Sequence, residues 1–495
     1  MNGASRAKLR TKTGCLTCRQ RRKKCDETFP ICGNCSFSRR DCKWPSGADL
    51  VDRRYSSHSH SRHREVVVKP RRKPERTDER HTDLDCIRTT YPVVDIDVEY
   101  LDACWHCHPE FHDGWLAEIQ KLMTTHKSLY YSVLANAASH MYLVDGAWRL
   151  QNLALTYYAD AVSELSKLLD RVPQLENHNG LLMSVMMLYL HGFINWDTGL
   201  DIPQHVTAAT RILTLRLLNH PSPIGKLFDR LAIESVMFQM FTYTTGLWTD
   251  IKAAVDPEFD SSFWDRAGKL LDEALFFPDA PKSFNSPVLG FPVSLFRTAL
   301  SLRHCFRSRR SPGIAELERL QSEVGDWEAR VLCDRELRSC SPSSGEWDKL
   351  DSREYCFRDA SYLFAMVTSL LLEQVGNSDS IPDLLPQVVP YDSWQLRLSV
   401  QILERHAGDE EWTRCYGCNW LVYTLGLFMD SSEDRHIIRE EFSRRWDLTK
   451  FVQIARYSSD LEDIWAARDG NVARILGRAT KPQTQAQLAA IRFVH

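Results

Sequence analysis

The chain has 495 residues, 43% of them hydrophobic, and a formal net charge of −3. That length can bury a sizeable apolar core, so neither a small disulfide scaffold nor a wholly disordered chain fits. The near-zero total hides a division: residues 1–80 carry a net charge of +13 and the remainder −16, a basic head suited to a polyanion and an acidic body that stays off it.

Residues 1–14 read as a disordered basic arm. Met1 to Lys12 lacks the apolar centre of a signal peptide. The most apolar stretches, Leu181–Ile194 and Trp420–Met429, are shorter than a bilayer span or broken by polar residues, so no membrane partner is expected. A soluble intracellular chain keeps its thiols reduced and available to metal.

Six cysteines follow with the spacing Cys15-x2-Cys18-x6-Cys25-x6-Cys32-x2-Cys35-x6-Cys42, in which the two halves are alike. A segment this short cannot build a stable apolar core, so metal must organise it. Six thiolates are too few for two separate tetrahedral zinc sites, but they suffice for two Zn2+ ions if two cysteines bridge. Arg19, Arg21, Arg22, Lys23 and Lys24 fill the gap between the second and third cysteines, and Arg39, Arg40 and Lys43 surround the sixth. A metal-storing sink would not need that basic run, and a disulfide knot would need an oxidising compartment.

The spacing, the basic run, Cys25-Asp26, Pro30 and Cys32-Gly33-Asn34-Cys35 together resemble the fungal zinc binuclear cluster transcription factors over residues 14–45. The resemblance implies that Cys15 and Cys32 bridge two Zn2+ ions, with Cys18, Cys25, Cys35 and Cys42 completing the ligand set. It implies a first helix over roughly Leu16–Lys24 whose C-terminal end meets the major groove of double-stranded DNA. The family pattern puts base-reading positions at Arg21 and Arg22, where Lys and Arg reach guanine O6 and N7. The second of these is often lysine or histidine in the family, so Arg22 departs from the usual occupant. Arg19, Lys23, Lys24, Arg39 and Arg40 are then phosphate contacts, which position the head without specifying sequence. A CGG-type triplet is the implied half-site. Pro30 matches a loop-shaping proline, and Trp44 takes the place of a common tyrosine.

Residues 46–84 read as a flexible, disordered basic linker without apolar periodicity. The run Lys69–Lys73 is suited to nuclear import or to extra phosphate contacts, and His58, His60 and His63 read as solvated. Residues 46–90 lack the apolar heptads of a zipper, so a homodimer, if formed, must pair through the body.

Residues 85–495 read as a large all-α domain, and the family resemblance implies that it is a regulatory domain. Tyr130, Val133, Leu134, Ala137 and Met141 share one helical face, and Tyr158, Val162, Leu165 and Leu169 another. Leu181–Ile194 is apolar nearly all round and should lie inside. Further helices are expected over Pro203–Leu218, Lys226–Trp248, Val293–Arg307, Ala315–Val331, Tyr355–Val375, Trp394–Arg405, Trp412–Met429 and Ser459–Leu476. Leu129–His140, Tyr157-Tyr158 and His205-x2-Ala208-Ala209 are similar to the helical regulatory region common in fungal zinc cluster factors.

Other motifs carry less. Cys104-Trp-His-Cys107-His108 has the form of a haem attachment site, but no targeting segment accompanies it, and it reads as ordinary residues. Zinc shared between that pair and Cys415/Cys418, placed in a helix, is a minor alternative. Cys305, Cys333, Cys340 and Cys356 read as packing residues, and Asp409-Glu410-Glu411 as a solvated turn. No phosphate-binding loop, nucleophile elbow or zinc-protease helix appears, so no enzyme is expected. Asp250–Asp279 mixes acids with aromatics in the manner of an activation segment, yet Leu270, Leu271 and Leu275 favour a packed helix. The leading expectation is a nuclear regulator of RNA polymerase II transcription, with DNA and transcriptional coregulators as partners. The alternative is a nuclear interaction protein or corepressor whose zinc head does not read sequence.

Overall fold

The computed structural model describes residues 15–21, 23, 25–26, 32–38, 40–43, 109–169, 177–219, 224–250, 261–279, 285–340, 352–376 and 384–470. The arm, the linker, Arg22, Lys24, Pro30, Arg39, Trp44, the Arg19 side chain and the Cys104–His108 motif lie outside these residues. The chain divides into two compact units, Met1–Glu79 and Arg80–His495.

The head holds α1 (Leu16–Gln20) and α2 (Gly33–Phe37). Cys15 and Cys32 stand immediately before the two helices, and each sulfur accepts a backbone N–H from three residues on, Cys18 to Cys15 at 3.3 Å and Cys35 to Cys32 at 3.4 Å. Both helices also close alike. Lys23 N–H bonds the Cys18 carbonyl at 3.0 Å, and Arg40 N–H bonds the Cys35 carbonyl at 3.0 Å, a reach of five residues that ends a helix. That closure stops α1 at Gln20, short of the expected Lys24, and puts Arg21 in a turn.

All regular structure among the body's described residues is helical. The run comprises α3 (Pro109–Thr125), α4 (Lys127–Asp145), α5 (Trp148–Leu169), α6 (Asn179–Ile194), α7 (Ile202–Leu213), α8 (Leu227–Thr245), α9 (Ser261–Glu273) and α10 (Val293–Ser308). It continues with α11 (Ile314–Cys340), α12 (Ser352–Gly376), α13 (Trp394–Arg405), α14 (Glu410–Arg414), α15 (Asn419–Leu427), α16 (Ser432–Thr449) and α17 (Val452–Arg468). As expected, α6 is buried almost throughout. A wide π turn over Thr214–Leu218 extends α7. None of the described helices is long and apolar enough to cross a membrane.

Several expectations need correction. In α5 the buried face is Ala154, Tyr157, Tyr158, Ala161 and Leu165, while Val162 and Leu169 face solvent; the stripe lies one position round from the expected one. The stretch 412–429 is not one helix. It breaks at Cys415, whose ψ of 86° is not helical, and Tyr416–Cys418 form a 3-10 turn, so Cys415 and Cys418 are not on an α-helix. The last helix runs Val452–Arg468, starting before Ser459 and stopping before Leu476. Cys333 is exposed, not a buried packing residue. Asp409 is no solvated turn residue: it caps α14 by accepting the N–H groups of Glu411 and Trp412. In the acidic–aromatic stretch, α9 buries Phe263 and Trp264 completely, as a packed helix does.

Polar side chains also tie the body together. The Glu234 carboxylate, on α8, accepts from Arg230 at 3.0 Å, Ser286 at 2.8 Å and the backbone N–H groups of Val288 and Leu289 at 2.9 and 3.1 Å. A buried charge is tolerated only with partners of this kind. An apolar cavity of about 150 Å³ lies among Trp115, Met186, Phe238, Phe241, Trp420 and Tyr457.

Candidate metal centre and DNA-binding face

The four most buried cysteines of the head, Cys15, Cys18, Cys32 and Cys35, pack against one another and take Cys25 and Cys42 at their margin. Cys15 Sγ lies 3.7 Å from Cys32 Sγ and 3.8 Å from Cys35 Sγ, and Cys18 Sγ lies 3.6 Å from Cys32 Sγ. The sulfurs form two groups of four: Cys15, Cys18, Cys25 and Cys32, and Cys15, Cys32, Cys35 and Cys42. Cys15 and Cys32 belong to both. This is the grouping that lets six thiolates surround two ions.

The donor set fits zinc on chemical grounds as well. Burial pushes the thiols of Cys15 and Cys18 up, and that of Cys35 up to about 12. Burial acts on Cys32 in the same direction, but hydrogen bonds from the Cys35 backbone N–H and the neighbouring thiols outweigh it and bring Cys32 down to about 6. Thiols packed this closely ionise together only around a cation, which coordinates the thiolate and removes the proton.

Hydrogen bonds frame the cluster. Leu16 N–H donates to the Lys43 carbonyl at 2.6 Å, and the Thr17 hydroxyl donates to the Asp41 carbonyl at 2.7 Å. These bonds bring the sixth-cysteine segment onto α1. The Asp26 carboxylate accepts the Gly33 N–H at 2.9 Å, and a Cβ at position 33 would collide with it. Spacing alone did not disclose these roles of Thr17 and Asp26, because each is a contact between distant parts of the segment.

Among the expected DNA contacts, Lys23 and Arg40 are exposed at equivalent ends of the two halves. Arg21 is half-buried, and its guanidinium donates to Ser38 Oγ at 3.1 Å, linking the end of α1 to the end of α2. Lys43 is exposed beside the sixth cysteine. The side chains of Arg19, Arg22, Lys24 and Arg39 lie outside the described residues.

A family model for the fungal Zn(2)-Cys(6) binuclear cluster domain matches residues 13–48. A second, for the fungal specific transcription factor domain, matches residues 104–475, well over half of the chain. This chain belongs to that fungal transcription factor family. Its head is the family's binuclear cluster domain, which binds two zinc ions, and its helical body is the family's second domain.

Three curated relatives illustrate the likeness. The transcriptional regulatory protein moc3 of Schizosaccharomyces pombe is 62% identical over 42 residues, 8% of each chain. Transcription factor lfc1 of Flammulina velutipes is 54% identical over 39 residues, 8% of this chain and 14% of its own length. An uncharacterized transcriptional regulatory protein of Schizosaccharomyces pombe is 56% identical over 54 residues, 10% of each chain. The chain therefore spans only about a tenth of the length of these relatives. No solved structure matches it.

Proposed function

We propose that this protein is a nuclear, sequence-specific regulator of RNA polymerase II transcription whose zinc-organised head reads a CGG-type triplet in the major groove. The observation that carries this reading is the pair of sulfur groups sharing Cys15 and Cys32, set directly beside a run of five basic residues between Cys18 and Cys25. In this reading Cys15, Cys18, Cys25, Cys32, Cys35 and Cys42 hold two zinc ions, with Cys15 and Cys32 bridging. The ions supply a rigid core that presents the basic run, and that run in turn offsets the negative charge left on two zinc ions shared by six thiolates. Arg21 and Arg22 read bases, and Arg19, Lys23, Lys24, Arg39 and Arg40 contact phosphates. The Arg21–Ser38 bond supports a base-reading role by holding the guanidinium at the end of α1 before DNA arrives, which lowers the ordering cost of binding. The body, residues 85–495, carries regulation and any pairing of two copies, and coregulators are its partners.

The test is in vitro selection of genomic DNA fragments by the full-length, zinc-loaded protein at near-physiological salt. Enrichment of one CGG-type triplet is the expected result for a monomer. Two triplets at fixed spacing identify a dimer paired through the body. No enriched motif, with zinc content intact, would overturn sequence reading and leave a nuclear interaction protein.

A further inference from the structure

Outside the head, one cluster brings together a thiol, an imidazole and a carboxylate from three parts of the body. Cys356 lies on α12, His406 directly follows α13, and Asp409 caps α14. Cys356 Sγ is 3.7 Å from His406 Nδ1 and 3.2 Å from Asp409 Oδ2, and His406 Nδ1 is 3.1 Å from Asp409 Oδ2. The three donor atoms thus form a closed triangle. Its edges lie within a few tenths of an ångström of the separations of about 3.3–3.6 Å between S, N and O donors on a tetrahedral zinc, given metal–ligand distances of about 2.0–2.3 Å, so a small adjustment would seat an ion. The head supplies a yardstick within the same chain, since its neighbouring sulfurs stand 3.6, 3.7 and 3.8 Å apart.

The imidazole is oriented as a metal ligand's should be. His406 Nε2 lies 3.2 Å from Asp359 Oδ2, so with a metal bound Nε2–H can donate to that carboxylate while Nδ1 serves as the donor atom facing Cys356 and Asp409. A carboxylate behind the histidine fixes its tautomer and strengthens it as a donor. Asp359 is held in turn by Arg405 and sits one helical turn from Cys356, on the same face of α12. The Trp412 ring stacks on the imidazole at 4.5 Å and 8° and prevents it from turning. Gly408, with φ of +88°, makes the tight turn that returns Asp409 to His406. Cys356 and His406 are both buried, while 29% of the Asp409 side chain is exposed and leaves a way in.

We propose that Cys356, His406 and Asp409 bind a third zinc ion, one that staples α12 to the ends of α13 and α14 within the regulatory body. The soft thiolate with imidazole and one carboxylate suits zinc over magnesium or calcium, which prefer oxygen alone. The exchange balances: Zn2+ enters, the Cys356 thiol gives its proton to solvent to become the thiolate ligand, and the neutral imidazole and the Asp409 carboxylate donate lone pairs. Three protein donors leave one tetrahedral position for a water from the Asp409 side. The body's stability then depends on zinc supply independently of the head.

The test is zinc counting on the full-length protein purified with zinc and washed with a mild chelator, by native mass spectrometry and elemental analysis. Three zinc ions per chain are expected for the native protein. Cys356→Ser should hold two, keep its affinity for DNA, and lose the zinc-dependent part of its thermal stability. Cys15→Ala should hold one, because the body's ion survives loss of the head's pair. Two ions on the native chain would overturn the proposal without any variant. So would a Cys356→Ser protein that carries as much zinc as the native one, or a Cys15→Ala protein that carries none.

Discussion

Cys15 and Cys32 differ from the other four cysteines of the head in belonging to both sulfur groups. On the proposed ligand set, Cys15→Ala or Cys32→Ala removes a ligand from each zinc, whereas Cys18→Ala removes one ligand from one zinc. The first two variants should release both of the head's ions and abolish DNA binding; Cys18→Ala should leave part of the zinc in place. Elemental analysis decides, and a Cys15→Ala head that kept both ions would refute the bridging assignment. A second single-residue expectation concerns His191, buried between the Ser139 hydroxyl at 3.0 Å and the Thr198 hydroxyl at 2.9 Å. Burial, with the charge of nearby His205, lowers its pKa from 6.5 to about 3. The folded state therefore holds His191 neutral while the unfolded chain takes up a proton below about pH 6.5. Its contribution is complete above pH 6.5 and is lost progressively as pH falls toward 3. The slope is at most ~1.4 kcal/mol per pH unit for one proton. Urea melts at pH 7, 5.5 and 4.5 should show a shallower acid loss for His191→Asn than for the native chain. Equal slopes would remove His191 as the cause.

Element by element, what the sequence disclosed depends on how local the signal is. The helix α6 was legible because it is apolar all round, and burial is then the only stable outcome. The ligand spacing of the head was legible because its cysteines lie within a few turns of chain from one another. By contrast α16 was invisible to apolar periodicity. Its buried residues Asp434, Arg435, Ile438, Glu441, Phe442 and Arg445 fall at helical spacing, but four of the six are charged. The same helix explains the break at Cys415. Arg445, fully buried, donates to the Cys415 carbonyl at 2.7 Å and the Trp412 carbonyl at 3.3 Å, satisfying the end of α14 where apolar patterning ran straight on. Glu441 pairs with it at 2.7 Å and accepts from the Trp412 indole at 2.8 Å. Cys356, His406 and Asp409 were missed for a related reason, since His406 is 50 residues from Cys356 and nothing local links them. Removing one member of a buried ion pair leaves the other uncompensated, which costs about 3–5 kcal/mol. Arg445→Ala should therefore lower the denaturant midpoint of the body strongly, and Glu441→Gln by a similar margin. A loss under about 1 kcal/mol for either would show that the pair is not what joins α14, α15 and α16.

At the scale of the whole molecule, charge division and zinc geometry make separable demands on DNA binding. The net charge of +13 in residues 1–80 gives attraction to any duplex, while reading requires particular side chains at base edges. If Arg19, Lys23, Lys24, Arg39 and Arg40 are the phosphate contacts, log K against log salt should fall with a slope of about −4 to −5, near −0.9 per neutralised phosphate. Lys23→Ala should then weaken binding to CGG-containing and scrambled duplexes alike and reduce the slope by about 1. Arg22→Ala should instead cost about 1–3 kcal/mol on the CGG-containing duplex, relax one base position and leave binding to the scrambled duplex almost unchanged. Titrations of both variants on both duplexes at several salt concentrations separate the roles, because a phosphate contact moves the slope and a base contact moves the specificity ratio. If Arg22→Ala weakened both duplexes equally, Arg22 would belong with the phosphate contacts. The ratio of about 10³ or more expected of a sequence reader would then have to come from Arg21, the guanidinium that Ser38 already holds in place.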